Sequence, residues 1–238
     1  MTPTYNERDN VDEFLSRVRV AVPTADIFFV DDNSPDGTGQ LVTERATRDG
    51  RIRLIARTGE RGYAAASREG LATIAASGYD AIVTIDCDLS HDPNVIPTML
   101  DRLALGADVV IGSRYIAGGG VRNWSLLRRL LSRWGNLYTS FMLGVNVRDC
   151  TSGFRAYGRR VITSGVIPST TSNGYAFLSE VLLRLRTAHD YKVTEVPIVY
   201  VERIHGESKM NRTIISESMR LVTFWGIQRV FARSRATR

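Results

Sequence analysis

The sequence predicts a single α/β domain, a mostly parallel sheet covered by helices, with a basic amphipathic helix at the C-terminal end. Three observations predict it. Short apolar runs alternate with stretches of helical periodicity through the first half of the chain, the pattern of strands that need helices on both faces. Each apolar run ends in polar residues: Asp31-Asp32, Asp86-Cys87-Asp88 and Ser113-Arg114. The chain has 238 residues and is 43% apolar, enough for a proper buried core. In open α/β sheets the carboxyl ends of the strands line the ligand crevice, so these polar ends are expected to share one site.

The elements follow in order. Thr2-Pro3-Thr4-Tyr5-Asn6-Glu7 reads as the loop after a strand with only Met1 ahead of it, so a first strand is expected to be missing. Asn10 with Glu13 resembles a capping box, opening a helix that places Val11, Phe14, Leu15 and Val18 on one face. Strands are expected at residues 27–30, 52–56, 81–85 and 109–111. Asp92 followed by Pro93 reads as an N-cap and first helical residue, with the helix running to about Leu105 before Gly106. Residues 118–151 combine Gly118-Gly119-Gly120 with an arginine-rich helix, and 194–201 form a further strand. No internal repeat, low-complexity tract or clear second-domain linker is visible.

Charge is uneven. Beyond Glu207, seven basic residues face Glu217 alone, a surplus of six that equals the whole net charge of +6. A basic terminus beside apolar residues suits an anionic membrane surface or a phosphorylated ligand better than nucleic acid, which asks for a groove-sized basic patch. Ile214, Ile215, Met219, Val222 and Trp225, flanked by Arg212, Arg220 and Arg229, are expected to form an interfacial helix. No apolar run reaches the 18 residues of a membrane span, and no signal peptide is visible. Cys87 and Cys150 are too few for a disulfide framework and have no Cys or His at metal-ligand spacing. A reducing cytoplasm is the natural reading, with the protein soluble or membrane-associated.

The chemistry centres on Asp86 and Asp88, where an apolar strand opens into a loop. Alternate residues of an extended strand point the same way, so the two carboxylates can converge on one hard cation, Mg2+ or Mn2+. Such a cation keeps open positions for diphosphate oxygens and neutralises charge on a leaving nucleoside diphosphate. A lone Asp-x-Asp equally suits a solvated strand-end turn. Cys87, between them, is small enough to be buried, and the flanking carboxylates disfavour a thiolate.

Five stretches decide between these readings. Pro3 to Glu7, Val30-Asp31-Asp32-Asn33-Ser34-Pro35-Asp36-Gly37-Thr38, Asp86-Cys87-Asp88-Leu89-Ser90-His91-Asp92-Pro93, Gly112-Ser113-Arg114-Tyr115 with Gly118-Gly119, and Arg203-Ile204-His205-Gly206-Glu207-Ser208-Lys209 closely resemble the dolichol- or polyprenol-phosphate mannose synthases. Those are inverting family-two glycosyltransferases with a GT-A fold. The resemblance runs from Pro3 to about Lys209, which implies a GT-A domain over 1–209 and a basic amphipathic helix over 210–238.

The resemblance implies roles residue by residue. Pro3, Tyr5, Glu7, Val30 and Asp32 surround the nucleotide base and ribose. Asp86 and Asp88 hold the metal, and Cys87, where the family has alanine, touches the donor by its backbone. Arg203 and Lys209 sit on a loop that closes over the diphosphate, offering a planar fork of donors and a mobile point charge. Arg114, Arg128 and Ser132 hold the acceptor phosphate, although Arg129 and Arg133 lie close enough to be the ligands or a membrane contact. Asp88, Arg114, Arg203 and Lys209 form the catalytic set. Thr151-Ser152-Gly153-Phe154-Arg155, Gly174-Tyr175 and Glu180 are acceptor-side or packing residues, and His91 caps or packs. One departure stands out: the family's Gly-Leu-Gly is reduced to Gly62 in Arg61-Gly62-Tyr63-Ala64-Ala65.

The implied reaction moves mannose from GDP-mannose to a polyprenyl monophosphate with inversion, at the cytoplasmic face of a membrane or beside a membrane-anchoring partner. A UDP-glucose donor, a phosphatase using Asp86 to Ser90, and a non-catalytic nucleotide-sugar binder are the alternatives.

Overall fold

The computed structural model describes residues 1–188, 191–202 and 212–236, with side chains in the last helix described for residues 216–231. The strands are β1 (Thr2–Thr4), β2 (Ile27–Asp31), β3 (Ile52–Ala56), β4 (Ala81–Thr84), β5 (Val109–Ser113), β6 (Gly120–Arg122), β7 (Arg155–Gly158), β8 (Val193–Pro197) and β9 (Val199–Val201). The helices are α1 (Val11–Ala21), α2 (Thr38–Arg48), α3 (Tyr63–Ala75), α4 (Ile96–Ala104), α5 (Leu126–Leu143), α6 (Arg159–Ile162), α7 (Ala176–Thr187) and α8 (Arg212–Ala236).

Strands β1, β2 and β3 pair in parallel in the order β1-β2-β3, and a second group runs β4-β7-β5-β8. Met1 joins the two groups: its carbonyl accepts from the Ile85 amide at 3.1 Å and its amino group donates to the Val83 carbonyl at 2.8 Å. The spatial order is therefore β3-β2-β1-β4-β7-β5-β8, with β7 antiparallel to both its neighbours and β5 parallel to β8. Strands β6 and β9 form a separate parallel pair.

Both sheet faces are buried, and the period-two alternation of each strand shows how. Ile27, Phe29 and Val110 pack with Val11, Phe14, Leu15 and Val18 of α1, Val42 of α2 and Met99 of α4. Phe28, Val30, Val109 and Ile111 face the other way, onto Leu71 and Ile74 of α3 and Phe177, Val181 and Leu182 of α7. The four α1 residues expected on one face are all buried. Strand β3 has its expected bounds, β2 extends one residue and β5 two residues further than expected, and β4 ends one residue sooner.

Several local expectations are corrected. Thr2–Thr4 is itself a strand, because its backbone completes the ladder beside β2, so the segment is not simply a loop. The capping box does not form: a 3₁₀ turn, Arg8–Asn10, leads into α1, the Asn10 side-chain amide donates instead to Glu7 Oε2 at 2.7 Å, and Glu13 pairs with Arg17. Asp92 does cap, accepting from the Asn94 amide at 3.0 Å, and Pro93–Val95 form a 3₁₀ turn before α4. The expected strand at 194–201 is two strands, β8 and β9, in different sheets. In α8, Val222 is buried and Met219 and Trp225 are half-buried, whereas Phe224, Ile227, Val230 and Phe231 are exposed. The described part of the expected apolar face, Met219, Val222 and Trp225, is thus covered, and the helix packs against α5 and α7; the side chains of Ile214 and Ile215 lie outside the described residues.

Candidate active site

Strands β1, β2 and β4 end at one edge of the sheet, and their following loops enclose a cleft of about 360 Å3. Pro3, Tyr5, Glu7, Asp32, Asp86, Cys87 and Asp88 all line it, so seven of the residues expected around the donor are brought together. Val30, expected with them, lies beneath the cleft, fully buried against α3. Asn6, Asn33 and Leu89, in the three loops, have φ near +60°, the left-handed region that a leucine enters only when its surroundings force it. Strain of this kind concentrates at ligand sites.

Each loop is tied by its own carboxylate. Asp31 accepts from the hydroxyls of Thr4 and Ser34 and from the Ser34 amide, joining the ends of β1 and β2. Asp36 accepts from the Thr38 amide and hydroxyl and from the Arg8 amide. Burial alone would raise the Asp36 pKa, but these hydrogen bonds outweigh it and hold it below its ordinary value. Asp32 is held at both oxygens: buried Arg57 pairs with Oδ1, and the Gly62 amide donates to Oδ2 at 2.6 Å. Arg57 also bonds Glu69 at 2.9 Å and the Glu60 carbonyl at 2.9 Å. Gly62 lies at φ +141°, a backbone conformation that favours glycine, while a Cβ there would meet open space.

The two central carboxylates differ. Asp86 is 37% exposed at its side chain, whereas Asp88 is buried and accepts from the Ser90 amide at 3.1 Å and the Ser90 hydroxyl at 2.5 Å. His91 Nε2 lies 3.7 Å from Asp86 Oδ2, and its ring packs between Phe154 and Tyr200. Of the two roles expected of it, the ring's position shows packing. Cys87 is buried, and burial followed by the charges of Glu7, Asp88 and Asp86 pushes its thiol well above the ordinary range. It is no nucleophile at neutral pH. Among the described residues no group of three or more His, Cys, Asp or Glu side chains is placed to hold a metal.

Two cleft residues, Arg61 and Tyr63, have no role expected from the sequence. Arg61 lies over the Tyr5 ring at 5.1 Å and donates to its hydroxyl at 3.2 Å. Tyr63 stacks on Tyr175 with centroids 5.4 Å apart. Burial, then the Asp86 charge, raises the Tyr63 pKa, so it stays a neutral phenol. The signal was Arg61-Gly62-Tyr63, noticed for its lost glycines rather than for its side chains.

The residues expected on the acceptor side form a second cluster. Arg114 makes a two-pronged pair with Asp149, both bonds 2.7 Å, and donates to the Thr151 hydroxyl at 2.8 Å. Ser132 accepts from the Tyr115 hydroxyl at 2.6 Å. Arg128 pairs with Glu202 and lies over Trp124 at 4.1 Å. None of the three lines the cleft of Asp86 and Asp88. The connection runs through the backbone: Thr151 touches Arg114, and two residues on, a Cβ on Gly153 would stand 3.8 Å from Asp86 Oδ1. Two residues of chain span at most about 7 Å, so the clusters adjoin. Phe154 and Arg155 are core residues, with Arg155 donating to the carbonyls of Cys150, Ser152 and Leu178. Glu180 ties the loop before α7, accepting from the amides of Thr171 and Ser172 and from Arg184. Arg203, Lys209, His205 and His189 lie outside the described residues.

The profile of Glycosyl transferase family 2 matches residues 1–165. The chain is 42% identical over 234 residues to polyprenol monophosphomannose synthase of Mycolicibacterium smegmatis, covering 98% of this chain and 88% of that one. It is 41% identical over 226 residues to undecaprenyl-phosphate mannosyltransferase of Micrococcus luteus, covering 94% and 92%. Glucosyl-3-phosphoglycerate synthase from Mycobacterium tuberculosis, solved in complex with Mn2+, uridine diphosphate and phosphoglyceric acid, shares the fold, with a TM-score of 0.66 at 19% identity over 94% of this chain and 76% of that one. With a GT-A sheet, a carboxylate-lined cleft at its strand ends and these relatives, the chain belongs to the family-two glycosyltransferases, beside the polyprenol-phosphate mannose synthases.

Proposed function

We propose that the chain transfers mannose from GDP-mannose to a polyprenyl monophosphate with inversion, releasing GDP and leaving a β-linked mannosyl phosphate lipid. The observation that carries this reading is the cleft in which Asp86 and Asp88 face the nucleotide-side residues Tyr5, Glu7 and Asp32. The names of the two curated relatives support mannose as the sugar and a polyprenyl phosphate as the acceptor.

Two carboxylates suit Mg2+ or Mn2+, which takes one or two protein carboxylates and fills its remaining positions with phosphate oxygens and water. When bound, such an ion would supply Lewis-acid stabilisation of the departing diphosphate. Asp86, the more exposed, and Asp88, oriented by Ser90, would hold it. The Tyr5 ring with Arg61 over it offers a flat, cationic wall to a base or ribose. The acceptor phosphate monoester has a second pKa near about 6 and is largely dianionic at neutral pH, so the protein needs to supply position rather than a strong base. Arg114, Arg128 and Ser132 would provide that position, and Arg203 and Lys209 would meet the diphosphate. The work takes place at the cytoplasmic face of a membrane, where a prenyl chain resides.

The test is incubation with labelled GDP-mannose, a short polyprenyl phosphate and Mg2+, with unlabelled GDP or UDP as competitor. Label in the lipid fraction, suppressed by GDP far more than by UDP, is the expected result. Free mannose would indicate hydrolysis, no turnover would leave a binding protein, and stronger suppression by UDP would overturn the donor assignment.

A further inference from the structure

Arg61 and Tyr63, two residues apart at the start of α3, turn to different parts of the cleft. Arg61 turns to Tyr5, whereas Tyr63 turns to Gly153 and Asp86. Tyr63 is held firmly. Its backbone opens α3, where the Ala66 amide bonds the Gly62 carbonyl at 2.9 Å and the Gly62 amide is fixed by Asp32. Its ring stacks on Tyr175 with an interplanar angle of 16° and meets Phe177 edge to face.

The hydroxyl at the end of this fixed ring is unused by the fold. Tyr63 lines the cleft, yet its hydroxyl has no hydrogen-bond partner among the described residues. Phenols inside proteins ordinarily have one, so an oriented phenol without one calls for a partner from outside the chain. Burial, then the Asp86 charge, keep it protonated, and it can both donate and accept.

Its position says what that partner is. The point where a Cβ on Gly153 would stand is 2.6 Å from the Tyr63 oxygen and 3.8 Å from Asp86 Oδ1, and only glycine leaves it open. In the reaction proposed above, Asp86 serves the departing diphosphate, and Arg114, bonded to Thr151, serves the incoming phosphate. The sugar must bridge the two, and the chain from Thr151 to Gly153 spans at most about 7 Å. The phenol therefore faces the place of the hexose, whose hydroxyls leave water on binding and need replacement partners. A base needs a flat surface instead, which Tyr5 and Arg61 supply elsewhere in the cleft.

We infer that Tyr63 reads the transferred sugar, its phenol hydrogen-bonding one hydroxyl of the hexose beside Asp86. This contact rests on the proposed nucleoside diphosphate hexose donor and names the residue that recognises its sugar. The family's Gly-Leu-Gly has no hydroxyl at this point of the loop, so the contact belongs to this chain's own Arg61-Gly62-Tyr63. It selects against sugars whose hydroxyl is missing there, because the phenol is then left unpaired in a closed spot.

Calorimetric titration of the full chain in Mg2+ tests this, comparing the wild type with Tyr63→Phe. The ligands are GDP, GDP-mannose and four GDP-mannose analogues, each lacking one sugar hydroxyl. Phenylalanine keeps the stack and, since the hydroxyl bonds nothing in the protein, the melting temperature. The variant is expected to bind GDP as the wild type does and GDP-mannose about 3- to 10-fold more weakly, the scale of one neutral hydrogen bond. With the analogue that lacks the partner hydroxyl, the two proteins should bind alike. Equal weakening toward GDP and GDP-mannose overturns the inference, because the phenol then serves the diphosphate or the fold. So does unchanged binding of GDP-mannose, or a deficit that persists with all four analogues. If the chain binds UDP-glucose and UDP in place of the GDP ligands, the donor reading falls, and the same difference between sugar-bearing and bare nucleotide decides for Tyr63. Binding of none of these ligands overturns both. If the Tyr63 margin holds while no mannose reaches a polyprenyl phosphate, the acceptor reading falls and the sugar contact stands.

Discussion

Asp149 shows how single residues fix this site. It is fully buried and gives both carboxylate oxygens to Arg114, so its charge is needed where it is. Burial opposes ionisation, but the Arg114 charge and hydrogen bonds win and hold the Asp149 pKa below its ordinary value; Arg114 is shifted upward by the same pair. Glu180 is lowered too, its burial outweighed by the Ser172, Arg184 and Thr171 hydrogen bonds. Carboxylates depressed in the folded state stabilise it above their unfolded pKa and lose that contribution as pH falls through the folded value. Thermal unfolding should therefore be level near neutrality and fall as pH drops below about 4. Asp149→Asn should already be destabilised at pH 7 by about 3 to 5 kcal/mol, because Arg114 is left buried without its counter-charge. Its melting temperature should then fall less steeply in acid than that of the wild type, and an unchanged acid slope would contradict the assignment. Gly153 gives a second test. A methyl group there would lie 2.6 Å from the Tyr63 hydroxyl, and the Tyr63 ring is wedged against Tyr175 and Phe177. Gly153→Ala should lower transfer by about 10- to 100-fold through displacement beside Asp86. Adding Tyr63→Phe should recover part of the loss, and a double variant no better than the single one would show that the clash is not the cause.

At the scale of elements, what could be read in advance was what local pattern decides. Strand β3 has its expected bounds and α1 buries its four expected residues, because a short apolar run and a 3.6-residue period depend on near neighbours alone. Strand β7 escaped notice because Arg155-Ala156-Tyr157-Gly158 has no apolar run; β4 and β5 recruit it from two sides, and carbonyls from three other residues satisfy its arginine. Asn10 has the right type for a cap, but Glu7 takes its amide. In the site, the carboxylates were legible as a motif in order, whereas Arg57, which fastens Asp32, and the Tyr63–Tyr175 stack arise only when distant segments meet. Helix α5 is arginine-rich in sequence; its leucines face outward because the domain supplies polar partners for Ser132 and Asn136. Its N-cap is Ser125, whose hydroxyl oxygen accepts from the Arg128 amide at 3.3 Å. Ser125→Ala should cost about 1 kcal/mol in chemical denaturation, and no change in midpoint would show that this cap contributes nothing.

For the whole molecule, the sheet separates stability from chemistry. Two apolar layers clamp its faces, and its polar strand ends gather the loops of β1, β2 and β4 at one edge, so the cleft rests on rigid elements while its loops hold the strained residues. The segment from Thr151 to Gly153 ties that cleft to the Arg114 cluster, and α5 carries the cluster's far side outward. One chain thus sets the Asp86 cleft, the Arg114 cluster and an apolar outer face in sequence across the molecule. The most direct measurement of this account is the initial rate of label transfer from GDP-mannose into a polyprenyl phosphate, for the wild type and for Asp86→Asn, with Mn2+ varied. The expected result is transfer by the wild type that rises with Mn2+ and a loss of at least about 100-fold in Asp86→Asn, the scale of removing one group that stabilises a developing charge. Transfer by Asp86→Asn at the wild-type rate, or transfer by the wild type that ignores chelation of the metal, would contradict it.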